Sequence, residues 1–189
     1  MIKVISLVTI LLAASNNPSA KEEAALDYIE KHKELAIIEM YRSGVPASIT
    51  IAQALLESNY GKSDLAVHAN NHFGIKCKSY WNGMKYYHKD DDLDDDGNLI
   101  NSCFREYESV FDSYIDHSNF LMHTSYYRHL FDLSQKDYQN WAKGLKKAGY
   151  ATDPDYAEKL IRFIERFDLG KLDEQENPYK KVNNLTSKI

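Results

Sequence analysis

The sequence predicts a single α+β domain that is mainly helical. Amphipathic helical stripes lie on both sides of a turn-rich middle, and that middle carries two short strand-like segments. A length of 189 residues with 43% hydrophobic and 12% aromatic content suits one real core, without global disorder.

The elements follow in order. Residues 21–42 place Ala25, Leu26, Ile29, Ile37 and Tyr41 at helical spacing, with Lys33 interrupting the stripe and Gly44 beyond it as a stop. Pro46 opens a second helix through Ile49, Ala52, Leu55 and Leu56, ending near Gly61. Residues 73–107 hold Asn82-Gly83 and Asp96-Gly97 turns around Lys85–His88 and Leu99–Phe104, which reads as a hairpin or small sheet. Ser109 and Asp112 form a capping box before Phe111, Tyr114, Ile115, Ser118 and Leu121. Ser134 and Asp137 repeat that signal before Trp141, Leu145 and Ala148, with Gly149 as the stop. Asp153-Pro154 reads as an N-cap with proline at the first helical position, ahead of a stripe of Tyr156, Leu160, Phe163, Ile164 and Phe167. The domain is expected over residues 21–169, and residues 170–189 as a frayed polar tail.

Residues 1–20 read as a signal peptide. Lys3 supplies the positive start, Val4–Ala14 the apolar run, and Ser19-Ala20 the small residues before a cleavage site. The run falls short of the roughly 20 apolar residues of a membrane span. Export to the periplasm or the extracellular space is therefore expected. In that setting Cys77 and Cys103 are expected to form a disulfide. A net charge of -5, with no basic stripe, argues against nucleic acid as a partner. The 14 tyrosines combine a flat apolar face with a hydroxyl, which suits sugar rings, although most are expected at core boundaries.

The chemistry starts at Glu57, a carboxylate at the end of an apolar helix and just before a glycine stop. The negative end of the helix dipole and any apolar burial both disfavour its ionised form. A carboxylic acid still protonated near neutral pH can donate a proton to a glycosidic oxygen. The same pattern also fits a solvated last-turn Glu. Asp92, Asp94 and Asp96 with Gly97 resemble the opening of a calcium loop, but position twelve of that frame is Cys103. That excludes a full EF-hand and leaves a partial calcium site or a solvated acidic turn. The histidines form no H-E-x-x-H motif and are expected to be structural or surface residues, with no metal centre.

Four ordered blocks carry a resemblance. Ala47-Ser-Ile-Thr-Ile-Ala-Gln-Ala-Leu-Leu-Glu-Ser-Asn-Tyr-Gly61 resembles the core motif of glycoside hydrolase family 73, the endo-β-N-acetylglucosaminidases and flagellar peptidoglycan hydrolases. Asn70-Asn-His-Phe-Gly-Ile-Lys76 is similar to that family's next block, with His72 in the usual Leu place. Phe104-Arg105-x-Tyr107, followed by Ser113–Leu121 with Asp116-His117, matches the segment after the hairpin. Gly149-Tyr-Ala-Thr-Asp-Pro-Asp-Tyr-Ala157 resembles its late motif. The match covers roughly residues 23–168, and ordered blocks are far more specific than any one motif.

The resemblance implies a lysozyme-like helical lobe, a small β-hairpin lobe and a glycan groove between them. It implies Glu57 as the general acid and Tyr150 beside the scissile bond. Asn71, Phe73 and Tyr156 are implied as substrate contacts, although Asn71 and Phe73 alternatively brace the turn after the catalytic helix. The second acidic residue falls among Asp90, Asp91 and Asp92, none of them the family's Glu. An inverting route needs that residue to activate water. A substrate-assisted route uses the sugar's own N-acetyl group and tolerates a weaker carboxylate. The expected activity is cleavage of the β-1,4 bond after N-acetylglucosamine in peptidoglycan, by a monomer that requires no cofactor. The alternatives are a lytic transglycosylase and a non-catalytic protein that binds or assembles wall glycan.

Overall fold

A computed structural model describes residues 18–94 and 96–178, and within them every side chain except that of Asp91. The segment expected as the leader peptide lies, up to residue 17, outside the described residues.

Helix α1 (Ala20–Ser43) opens on Ser19, whose side chain accepts from the Glu22 amide, and stops at Gly44 with φ 90°. Its buried face runs through Ala25, Tyr28, His32, Ala36, Ile37 and Met40. Leu26 and Tyr41, expected on that stripe, are 48% and 38% exposed. Tyr28 and His32 take the inner face with their ring centres 4.4 Å apart, and the Tyr28 hydroxyl finds its partner in His72.

Helix α2 (Ala47–Glu57) is buried at every position from Ala47 to Leu55, and its polar members Ser48, Thr50 and Gln53 each find a hydrogen-bond partner inside. It lies against α1, α6 (Tyr156–Arg166) and the 3₁₀ segment Leu169–Glu174. Pro46 gives its first turn no side-chain cap. Asp173 supplies one from far along the chain. Its Oδ1 accepts from the Ser48 amide at 2.9 Å and its Oδ2 from the Ser48 hydroxyl at 2.5 Å. The expected tail thus begins with docked structure, the 3₁₀ segment running on to Glu174 with Asp173 buried. The reason is that α2 otherwise starts with orphan amides inside the core. Burial pushes the Asp173 carboxyl up to about 6, against its bonds to Ser48 and the Ala47 amide, which favour the ion. Asp173→Ala is expected to cost about 1–3 kcal/mol, the range for a lost buried hydrogen-bond partner. Thermal denaturation of the variant checks this, and a surface-like effect near zero contradicts it.

The short α3 (Asp64–Ala69), absent from the sequence expectation, is capped by Ser63 and ends on Asn70 at φ 50°. Strands β1 (Lys85–Leu93) and β2 (Leu99–Arg105) form the antiparallel hairpin. The ladder is regular from Lys85↔Arg105 to Lys89↔Asn101, then slips between Lys89 and Leu93 before Leu93↔Leu99. Asp90, Asp91 and Asp92 therefore occupy the irregular stretch of β1, the kind of bulge that re-aims side chains. On the other edge of β2, Lys76 bridges to Phe104, and Cys77–Cys103 closes the expected disulfide at a Cα separation of 5.3 Å. In the chain-entropy picture such a loop contributes about 3 kcal/mol.

Helix α4 (Val110–His123) has the expected Ser109/Asp112 capping box. A 3₁₀ segment, Ser125–Asp132, follows it. Helix α5 (Tyr138–Lys147) starts one turn later than the Ser134 signal suggests. Asp137 is its N-cap, accepting from the Asn140 amide, while Ser134 Oγ is engaged by the Lys136 amide. Helix α6 likewise begins at Tyr156, beyond Asp153-Pro154, because Asp153 accepts from the Asp155 amide in a local turn and pairs with Lys159. Among the described residues no helix is long and apolar enough to cross a membrane.

Candidate active site

Glu57 is the last residue of α2, and the chain after it is tightly shaped. Ser58 Oγ donates to the Ala54 carbonyl at 2.5 Å and accepts from the Gly61 amide at 2.7 Å. Asn59, Tyr60 and Gly61 then run through three left-handed conformations, at φ 48°, 61° and 76°. Such backbone costs an L-residue roughly 1–2 kcal/mol and clusters at functional sites. At Gly61 an added Cβ would lie 2.9 Å from the Tyr28 ring, so the close approach requires glycine.

Glu57 lines a cleft of about 590 Å³ together with Phe73, Ile75, Lys76, Tyr80, Arg105 and Tyr150. Burial pushes its carboxyl up to about 7, and a hydrogen bond from the Tyr156 hydroxyl to Oε1 at 3.0 Å holds it from rising further. The helix C-terminus adds to the upward push. The raised value has a concrete cause, a half-buried carboxyl that accepts a hydrogen bond from one neutral donor among the described residues.

Tyr150 lines the same cleft, stacked on Tyr156 at 5.6 Å between centroids. Phe73 also lines it, as buried floor, with its ring flat on His117 at 3.9 Å. Tyr156 and Asn71 do not line it. Tyr156 is buried behind Glu57 and meets the cleft only through that carboxyl. Asn71 is spent on backbone: its Nδ2 donates to Ile75 O at 3.0 Å and Arg105 O at 2.8 Å, and its Oδ1 accepts from the Ile75 amide. Of the two expectations for Asn71, substrate contact and brace, these bonds match the brace, which ties the turn after α3 to the hairpin.

The acidic run stands at one remove. Lys76, on the cleft wall, holds Asp90 at 2.8 Å and Asp92 at 2.7 Å. Lys76 and a bond from Ser102 keep the Asp92 carboxyl below the usual carboxylate range. The side chain of Asp91 lies outside the described residues. Asp94 caps the hairpin turn, accepting from the Asp96 and Asn98 amides. Among the described residues no group of His, Cys, Asp or Glu could hold a metal ion, so the calcium frame of Asp92, Asp94 and Asp96 finds no support. The Asp92 carboxylate is committed to Lys76 and Ser102, and that of Asp94 to the turn.

Sequence reasoning left four groups of the cleft unassigned, Lys76 and Arg105 on its wall and Tyr80 and Tyr126 on its rim. Lys76 and Arg105 sit inside the matched blocks, but nothing in the chain reveals that they face a cleft. Arg105 is gripped by Asp116 through Nη1 at 2.7 and 2.9 Å, and its guanidinium lies 4.6 Å from the Trp81 ring centre. Tyr107 donates to the same Asp116 at 2.6 Å, so one carboxylate ties β2 to α4. On the rim, Tyr80 and Tyr126 are 67% and 73% exposed, flat faces of the kind that stack on sugars. Two buried histidines, His32 and His72, lie in an aromatic cluster with Tyr28 and Tyr114. His72 Nδ1 meets the Tyr28 hydroxyl at 2.6 Å, and that hydroxyl meets Tyr114 at 3.1 Å.

A family model described as mannosyl-glycoprotein endo-β-N-acetylglucosaminidase matches residues 33–169. The chain belongs to the glucosaminidase family. The four motifs anticipated this membership. The exo-glucosaminidase LytG of Bacillus subtilis is 36% identical over 173 residues, covering 89% of this chain and 59% of that protein. The peptidoglycan hydrolase FlgJ of Vibrio cholerae is 30% identical over 171 residues, with 86% and 48% covered. The chain therefore spans only about half the length of these glucosaminidase relatives. Among solved structures, the catalytic domain of the autolysin Auto from Listeria monocytogenes superposes with a TM-score of 0.71 at 29% identity, covering 89% of this chain and all of that one. The glycoside hydrolase domain of Salmonella typhimurium FlgJ gives 0.63 at 25% identity, with 85% and 98% covered. The helical lobe with its small β-lobe is thus the fold of glucosaminidase domains.

Proposed function

We propose that this glucosaminidase is an exported peptidoglycan hydrolase that cuts the β-1,4 bond after N-acetylglucosamine, with Glu57 as proton donor. The observation that supports this most is the state of Glu57: half-buried, raised to about 7, and open to a cleft walled by Tyr150, Lys76 and Arg105. The relatives named as peptidoglycan hydrolases point to the same substrate. The leader-like residues 1–20 fit delivery to it.

In the step favoured by the site, Glu57 gives its proton to the glycosidic oxygen as the C1–O bond breaks. The carbonyl oxygen of the 2-acetamido group bonds to C1 in the same step. Water then attacks C1, Glu57 takes the water's proton, and the acetamido group is released. Asp90 or Asp92 need only polarise the acetamido N–H in this route. At Asp92 the ion pair to Lys76 favours it over direct activation of water, because a carboxylate held below its usual range is a poor base, and Asp90 is engaged by the same ammonium.

The experiment is digestion of purified peptidoglycan, with mass spectrometry of the released fragments. Reducing N-acetylglucosamine ends support the proposal. Anhydro-muramic ends make the chain a lytic transglycosylase instead. Sedimentation with the wall and no soluble fragment makes it a glycan-binding protein.

A further inference from the structure

Behind Glu57 a chain of buried polar groups runs away from the cleft. His117 Nε2 lies 3.1 Å from Gln53 Oε1, Gln53 Nε2 donates to the Tyr156 hydroxyl at 2.9 Å, and that hydroxyl donates to Glu57 Oε1 at 3.0 Å. Gln53 and His117 are both fully buried, on α2 and α4. His117 is a costly occupant there, since its Nδ1 is buried with no hydrogen-bond partner. An apolar side chain stacked on Phe73 would fill the space without that orphan.

Two polarities are open to such a chain. In one, His117 Nε2–H donates to Gln53, Gln53 N–H donates to Tyr156, and Tyr156 O–H donates to Glu57. In the other the amide is reversed, Tyr156 donates to Gln53, and the Glu57 proton is given to Tyr156. The second polarity would put the imidazole proton on Nδ1, leaving a buried N–H without an acceptor, which proteins rarely tolerate. It also fails whenever Glu57 is ionised, because the carboxylate then has nothing to donate. Burial holds His117 down to about 3, so the ring stays neutral and the first polarity persists across the working range.

We propose that Gln53 and His117 are positioning residues that fix the direction of the Tyr156 hydroxyl, so that Glu57 Oε1 is always the acceptor and Oε2 is the oxygen that carries the transferable proton. The relay keeps the acid's proton off the buried side. It also stabilises the carboxylate that remains after transfer, since donors in series reinforce one another. The proposal rests on the assignment of Glu57 as the acid. The other groups near Glu57 are Tyr150, from the loop before α6, and the cations Lys76, Lys78 and Arg105 of the cleft wall. None of them takes part in the relay.

The test follows the Glu57 carboxyl by ¹³C NMR titration, assigned by loss of its signal in Glu57→Gln, alongside the pH profile of kcat/KM. Gln53→Leu and His117→Leu are expected to raise the Glu57 midpoint by about half to one pH unit, with the alkaline limb following it and KM unchanged. His117→Gln, which keeps an N–H near the place of Nε2, is expected to stay near wild type. In a Tyr156→Phe background Gln53→Leu should produce no further shift, because the relay acts only through that hydroxyl. An unchanged midpoint in Gln53→Leu, or an equal shift in the Tyr156→Phe background, overturns the relay. Should Gln53→Leu not fold, equal midpoints in His117→Leu and His117→Gln overturn it too. A midpoint that moves while the rate profile stays fixed leaves the relay standing and removes Glu57 from the role of acid.

Discussion

Glu57→Gln is expected to slow glycan hydrolysis by about 10²–10⁴-fold, the usual worth of a positioned general acid. The substitution is nearly isosteric. Its amide oxygen can still accept from Tyr156, so the packing of Tyr156, Gln53 and Tyr150 should persist. What is lost is the proton. The variant should also be more stable than the wild type at pH 8. The folded-state value of Glu57 is raised, so its contribution to stability is full below its unfolded value near 4.5 and is lost as pH rises through about 7. Gln carries no charge to bury and escapes that loss. Release of reducing ends and thermal midpoints at pH 5 and pH 8 check both halves. A variant that is inactive and also less stable at pH 8 would mean that the substitution damaged the fold rather than removed an acid.

The second large effect is in pH. Because the acid must be protonated, kcat/KM should fall about tenfold per unit above about pH 7. Between pH 7, where half the acid is still protonated, and pH 9 that amounts to about fiftyfold. Tyr156→Phe removes the one hydrogen bond that lowers the Glu57 value, so the limb should move upward. A limb that moves downward in this variant would contradict the geometry at Oε1. Soluble peptidoglycan fragments, assayed in constant-ionic-strength buffers, give the profile without the complication of an insoluble wall.

Much of this site was legible in the chain. Glu57 is marked by an apolar helix that ends in a carboxylate and a glycine stop, and both the helix and the left-handed turn at Gly61 follow from local chemistry. The hairpin and the capping box at Ser109 are local as well. Signals that depend on distant partners were not legible. Asp173 looks like one more acid in a polar tail until its partner, Ser48, is seen 125 residues away. Asn71 looks like a polar group free to bind sugar until its amide is found spent on Ile75 and Arg105 backbone. Asp153 and Ser134 satisfy the usual rules for helix starts, yet competing local turns move each start further along. The acidic run misleads in a similar way. Its spacing suits calcium, whereas a two-residue slip in β1 and the Lys76 ammonium turn Asp90 and Asp92 to another use.

The claim that Glu57 supplies a proton is tested most directly by changing what leaves. Glu57→Gln should be assayed on a glycan oligomer and on the matching N-acetylglucosamine oligomer ended by a dinitrophenyl group, which departs as a stable anion and needs no proton. The account predicts a loss of at least about a hundredfold on the glycan and a near-wild-type first turnover of dinitrophenolate release, the later deprotonation of water by Glu57 being a separate step. Equal losses on both substrates would contradict it and would assign Glu57 a role other than that of the acid.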